Sequence, residues 1–203
     1  MPEPVQQSPF HPDITRLADS LRERPGEPTA ADGINVWAAV AVIVRAAADD
    51  RAELLFIKRV EREGDSWSGQ IALPGGREDN DDDSLLRTAI RETWEEIGLD
   101  LAAHGEALGV LDDVAPRTPV LPPIAVRPFV FSVHAQSETV NGPEVAEVFW
   151  VPLDLLLDSS RWSETEVQTP AGSSRVDAII YGDHVVWGMT LRIVAQLVER
   201  LRA

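Results

Sequence analysis

From Val36 to Val44 the chain reads VWAAVAVIV, with no charged residue until Arg45. The run is β-branched and apolar on both alternating faces, so it predicts a strand buried inside the protein. It is far too short to span a membrane, which takes roughly 20 apolar residues, and no other run is longer. Whatever this chain folds into must cover that strand.

The surrounding pattern supplies the cover. After the turn-like AAADDRA comes a second strand, LLFIKR. EREGDSWSGQ reads as a loop, and IALPGG as a short strand ending in a turn that glycine makes most easily. A long helix follows. The acidic stretch Asp79 to Asp83, with Ser84, supplies N-cap candidates and negative charge at its start. Leu86, Ile90, Thr93 and Ile97 form its apolar stripe, and Gly98 is the expected stop. Further strands are expected in EALGVLDD, IAVRPFVFSV and EVAEVFWVPL, and a hairpin in GSSRVDAIIYGDHVVWG. A last amphipathic helix runs from about Trp187 to Leu201. The reading is one α+β domain, residues 34–203, with helices packed on a mixed sheet. Residues 1–33 are rich in Pro, Gly and charge. They form an N-terminal extension with one short amphipathic helix, DITRLADSLRER.

Composition narrows the function. A net charge of −16 disfavours binding to a nucleic-acid backbone, which needs clustered Lys and Arg. The absence of cysteine removes disulfides, thiolate metal sites and cysteine nucleophiles, and fits a reducing compartment. The start, MPEPVQQSPFHPD, lacks the order of a signal peptide. A soluble, cytoplasmic protein acting on a small molecule is therefore expected, with no membrane or nucleic-acid partner.

On the long helix, Glu92, Glu95 and Glu96 stand at i, i+3 and i+4, so their carboxylates share one face. By itself such a trio is as a rule a solvated acidic surface. Preceded by Gly75-Gly76, it also suits a hard divalent cation, which takes oxygen ligands, since glycine lets backbone atoms approach an ion or a phosphate.

The stretch GREDNDDDSLLRTAIRETWEEIGL resembles the Nudix box, G-x5-E-x7-R-E-U-x-E-E-x-G-U, with U aliphatic. Arg91, Glu92, Glu95, Glu96, Gly98 and Leu99 match it in order and spacing. The interval from Gly76 to Arg91 is one residue longer than the pattern. Asp82 or Asp83 stands where the internal glutamate belongs, and Thr93 replaces an aliphatic residue. The longer interval and the Asp79/Asp82 pair resemble the coenzyme A diphosphatase branch of that family. Its upstream signature is matched at Arg59, Gly69 and Pro74-Gly75-Gly76, but Val60, Trp67 and Leu73 replace its Ser, His and Phe. The stretch from Val186 to Thr190 also resembles that branch.

The resemblance implies a Nudix fold, an α/β/α sandwich around a mixed central sheet. It implies a hydrolase, a pyrophosphatase dependent on Mg²⁺ or Mn²⁺, with Gly76, Glu92, Glu95 and Glu96 as metal ligands. Glu95, Glu96 and Arg91 are the expected catalytic residues, Arg91 by orienting the glutamates. Lys58, Arg59, Trp67 and Gln70 are the expected substrate contacts. For Lys58 and Arg59, solvation of the charged tips is an equal alternative. Coenzyme A or a derivative is the first expected substrate. ADP-ribose, a nucleotide sugar or a nucleoside triphosphate is the second, and a nucleotide sensor without turnover is the third. Glu144 and Glu147 match a segment that in some relatives leads back to the site; surface acids are the alternative. Trp67 and Trp94 flank the site, with core packing the default for each. His11, His104, His134 and His184 show no ligand spacing. Dimers are frequent in this family, so a homodimer is a further expectation.

Overall fold

The computed structural model describes residues 11–29, 34, 36–63, 67–116, 123–169 and 172–202. Helix α1 (Pro12–Glu23) is followed by strands β1 (Val36–Ala46), β2 (Ala52–Arg59), β3 (Ile71–Ala72) and β4 (Gly75–Arg77), then by helices α2 (Leu85–Ile97) and α3 (Leu101–His104). Strands β5 (Gly105–Val110), β6 (Ile124–Val133) and β7 (Val145–Pro152) come next, then helix α4 (Leu153–Leu157). The chain closes with β8 (Trp162–Thr169), β9 (Gly172–Tyr181), β10 (His184–Trp187) and helix α5 (Gly188–Arg202).

The apolar run lies at the centre. β1 pairs with β6 in parallel and with β2 and β4 antiparallel. β2 also pairs with β3 and β7, and β5 closes the far edge on β6. Helices cover both faces, which is why β1 needs no polar side. On one face Ala38, Val42 and Val44 pack with Leu54 and Phe56 under α1 and α5, where Ile14, Leu17, Val194 and Leu197 are buried. On the other, Ala41, Ile43, Leu55 and Ile57 pack under Ile97, Leu99 and Leu101. The expected sandwich around a mixed sheet is present. The amphipathic helix of the N-terminal stretch is part of this core: Ile14 and Leu17 are almost wholly buried.

Three elements differ from the sequence reading. The expected C-terminal hairpin is a three-stranded sheet, β8-β9-β10, whose first strand alternates weakly and carries polar residues at Ser163, Glu164, Glu166 and Gln168. Helices α3 and α4 are only 4 and 5 residues long, too short for a periodic signal. The Gly75-Gly76 pair belongs to a strand, β4, rather than to a turn. Among the described residues no helix is long and apolar enough to cross a membrane.

Candidate active site

Helix α2 starts and stops where its sequence dictates. The Ser84 hydroxyl accepts the Arg87 N–H, and Gly98 ends the helix at φ 63, a left-handed conformation that glycine adopts without strain. The last turn leaves carbonyls without helical partners. The loop before β7 supplies them: Val140 N–H donates to Ile97 at 2.8 Å and Gly142 N–H to Glu96 at 2.7 Å. That docking brings Glu144 beside the glutamate trio.

The two glycines ahead of the helix serve different ends. Gly75 has φ 152, and a Cβ there would lie 2.2 Å from the Ala39 carbonyl oxygen. Gly76 has no such backbone demand, but its Cβ would lie 2.4 Å from the Glu92 carboxyl carbon. Glycine at 76 thus brings the β4 backbone against a carboxylate of α2.

The three glutamates are not equivalent. Glu95 is half-exposed, Glu92 is largely covered, and Glu96 is buried at 7% side-chain exposure. Helical spacing puts Glu96 on one face with the others. The helix packs through Thr88, Ala89, Thr93 and Ile97, which turns Glu96 inward. Its Oε2 accepts the Gly75 N–H at 2.9 Å. Burial pushes its carboxyl up to about 7, with the Gly75 hydrogen bond and Arg59 opposing the shift. Burial also raises Glu92, against the pull of Arg91.

Arg91 is the hub of the helix face. Its Nη1 donates to Glu92 at 2.9 Å and reaches Glu95 at 3.4 Å, while Nη2 donates to the Arg77 carbonyl at 3.1 Å. The rest of the fork grips Asp82, through Nε at 3.0 Å and Nη2 at 2.8 Å. Asp82 also accepts the Asp79 N–H and the Thr88 hydroxyl, at 3.0 and 2.9 Å. Those donors, Arg91 first, hold its carboxyl well below the usual range. As replacements for the internal glutamate, sequence reasoning left Asp82 and Asp83 as equals. In that place the fold separates them: Asp83 is exposed, whereas Asp82 is half-buried with its carboxylate side chain only 6% exposed beneath the guanidinium.

At the other end of the trio, Arg59 Nη1 stands 3.8 Å from Glu96 and Nη2 stands 4.0 Å from Glu144. Glu144 is held from the far side by Arg62 at 2.8 Å. The Trp67–Gln70 turn is tied to the same strand end, since Gln70 O accepts the Arg59 N–H at 3.0 Å and Val60 O accepts the Gly69 N–H. Lys58 goes elsewhere. Strand alternation carries it to the face of Phe56, cross-strand from Glu147. Glu147 in turn faces His184 at 3.5 Å, whose ring stacks on Phe149. Glu144 therefore joins the trio and Glu147 does not. Trp94 leaves the core altogether. It is 57% exposed and lines a surface groove with Leu99, His104 and His134.

Among the described residues no three acidic or histidine side chains already close around an ion-sized point. The carboxylates turn instead to Arg91, Arg59, Arg62 and the Gly75 N–H. Even so, the donor set fits a hard cation. Asp82, Glu92, Glu95, Glu96 and Glu144 face the guanidiniums of Arg59, Arg62 and Arg91, which leaves two negative charges over when all are ionised.

Fold and geometry together define a mixed-sheet sandwich with a cluster of carboxylates and guanidiniums gathered on one helix face. Comparison with known proteins agrees: the NUDIX domain model matches residues 37–170. The uncharacterized Nudix hydrolase NudL of Photorhabdus laumondii is 33% identical over 142 residues, 68% of this chain and 71% of that protein. Its counterpart from Enterobacter sp. is 34% identical over 159 residues, 77% of this chain and 79% of that protein. Among solved structures, the NUDIX domain of Shewanella oneidensis NrtR, complexed with ADP ribose, aligns with a TM-score of 0.48 and 21% identity. That alignment covers 82% of this chain and 88% of that one. A MutT/nudix family protein from Enterococcus faecalis aligns with a TM-score of 0.49 and 18% identity, over 79% of this chain and 60% of that one. The chain belongs to the Nudix hydrolase family, whose members act on phosphorus-containing anhydrides and generally use divalent metals such as Mg²⁺ or Mn²⁺.

Proposed function

We propose that this Nudix hydrolase is a Mg²⁺- or Mn²⁺-dependent diphosphatase whose substrate is coenzyme A or an acyl derivative. The observation that carries the catalytic reading is the gathering of Glu92, Glu95 and Glu96 against the Gly75-Gly76 strand, with a charge deficit suited to a divalent cation. Those glutamates and the Gly76 carbonyl are the proposed ligands. When bound, the cation neutralises charge on the diphosphate and lowers the pKa of an attacking water.

The protein's own groups do the rest. Glu95, the most exposed of the trio, would take a proton from the attacking water. Arg91 holds Glu92 and Glu95 in register, and Asp82 holds Arg91. Gly75 fixes Glu96 by one oxygen and leaves the other for the site. Trp67 and Gln70, in the turn beside Arg59, are the proposed substrate contacts, and Lys58 serves only a substrate that reaches the opposite sheet face. Hydrolysis adds water across the P–O–P linkage, giving adenosine 3′,5′-bisphosphate and a phosphopantetheine.

The coenzyme A assignment rests on the sequence: the longer interval from Gly76 to Arg91, the Asp79/Asp82 pair and the Val186–Thr190 stretch. The substitutions at Val60, Trp67 and Leu73 favour a second reading within the same chemistry, with ADP-ribose, a nucleotide sugar or a nucleoside triphosphate as substrate. A site built around particular polar groups rejects analogues strongly, so kcat/KM over a panel of these compounds under one metal condition decides. Coenzyme A ranking tenfold or more below another compound, about 1.4 kcal/mol of transition-state preference, overturns the assignment.

A further inference from the structure

Two arginines stand against the glutamate trio, and one of them is not on the helix. Arg59 ends β2 where pairing with β7 slips out of register between Lys58 and Arg59. The extra residue of that slip is on β7; on β2 strand alternation continues from Leu55 and Ile57, so the Arg59 guanidinium comes to the α2 side of the sheet. It faces Glu96 Oε1 at 3.8 Å and Glu144 Oε2 at 4.0 Å. Both separations exceed hydrogen-bond length, so these contacts are ones of charge. The companion oxygens are held more tightly, Glu96 Oε2 by the Gly75 N–H at 2.9 Å and Glu144 Oε1 by Arg62 at 2.8 Å. Each carboxylate is thus anchored by one oxygen and shares a guanidinium at the other.

We propose that Arg59 is the built-in counter-ion of the metal site, neutralising Glu96 and Glu144 when no divalent cation is bound and competing with the cation for Glu96 when one arrives. The inference rests on the reading of Glu92, Glu95 and Glu96 as cation ligands. It gives Arg59 a different task from the expected substrate contact: a guanidinium facing Glu96 and Glu144 sets how tightly the metal is held. Arg59 is then a positioning residue for the acidic site, and its removal has opposite effects on the empty and the loaded protein. The empty protein loses a neutralising charge and melts lower. The loaded protein loses a competitor and holds its metal more tightly.

The test is Mn²⁺ binding by calorimetry on the full chain, with melting temperatures recorded with and without Mn²⁺. Arg59→Gln should bind Mn²⁺ about three- to tenfold more tightly than the wild type, the scale of one charge removed near a dication in a partly exposed site. It should also melt lower without metal and show a larger Mn²⁺-induced rise. Arg59→Lys, which keeps the charge, should stay within about twofold of the wild type by the same reasoning. Unchanged or weaker Mn²⁺ binding in Arg59→Gln overturns the proposal, as does failure of that variant to fold both with and without Mn²⁺. A rise in KM for coenzyme A with Mn²⁺ affinity unchanged overturns it too, in favour of substrate contact. Glu96→Gln separates the two layers. If that variant binds Mn²⁺ as the wild type does, the metal site itself is wrong and the inference falls with it. If Glu96→Gln loses binding while Arg59→Gln leaves it unmoved, only the inference falls.

Discussion

Truncating Asp82 to alanine removes the group that fastens Arg91 to the loop ahead of its helix. Four donors converge on that carboxylate: Arg91 Nε and Nη2, the Thr88 hydroxyl and the Asp79 N–H, all between 2.8 and 3.0 Å. Breaking a buried charge pair by removing one partner costs about 3–5 kcal/mol. Arg91 is 29% exposed and keeps Glu92, Glu95 and the Arg77 carbonyl, so the lower end applies. We expect Asp82→Ala to lose about 3 kcal/mol, or roughly 6–12 °C of melting temperature for a domain of this size. Asp82→Asn keeps one accepting oxygen but presents an amide to the guanidinium, and should lose about 2 kcal/mol. The neighbouring control, Asp83→Ala, removes an exposed side chain and should shift stability by less than about 0.5 kcal/mol. Thermal and urea melts of the three variants check the ranking. Asp82→Ala melting within 2 °C or so of the wild type, or Asp83→Ala falling with it, would refute the reasoning that the fold selects Asp82 alone.

The same contact has a pH signature. The folded Asp82 carboxyl lies below its unfolded value of about 3.9, so its contribution is fully present above that value and is lost as pH falls below it; an acid titration of Asp82→Asn should show a shallower loss than the wild type. Gly76→Ala places a Cβ 2.4 Å from the Glu92 carboxyl carbon, and should cut turnover by at least about tenfold through displacement of that carboxylate, read from kcat with melting temperature as the control. Glu96→Gln removes a buried like charge while leaving an oxygen for Gly75; the metal-free variant should melt at or above the wild type, and Mn²⁺ should raise its melting temperature far less.

The sequence carried the central part of the fold because the signals there were strong and local. A polar-free strand, an N-capping serine and a glycine stop each have one physical reading, and β1 and α2 follow from them. The elements that escaped were those with no pattern long enough to read: α3, α4 and the polar, half-exposed β8. The site divides along the same line. The common face of the three glutamates follows from helical spacing alone. That Glu96 is buried depends on how wide a side of α2 meets the sheet: the stripe of Leu86, Ile90, Thr93 and Ile97 does pack there, but the buried side also takes in Thr88, Ala89 and Glu96, which the stripe left out. The grip of Asp82 on Arg91 spans 9 residues and depends on a loop conformation that no periodicity encodes. For Glu144 and Glu147 the sequence left both residues open. The docking of Val140 and Gly142 onto the helix end selects Glu144, and strand alternation turns Glu147 away.

Cleavage of coenzyme A, ADP-ribose and the other diphosphates, followed against Mg²⁺ and Mn²⁺ concentration in the wild type, Glu92→Gln and Glu96→Gln, tests the central claim most directly. The account predicts turnover that vanishes when the metal is chelated. It also predicts a loss of at least about a hundredfold in kcat for each variant at saturating metal, the scale of removing a catalytic electrostatic contact. Metal-independent turnover, or a near-normal rate in either folded variant, would contradict it.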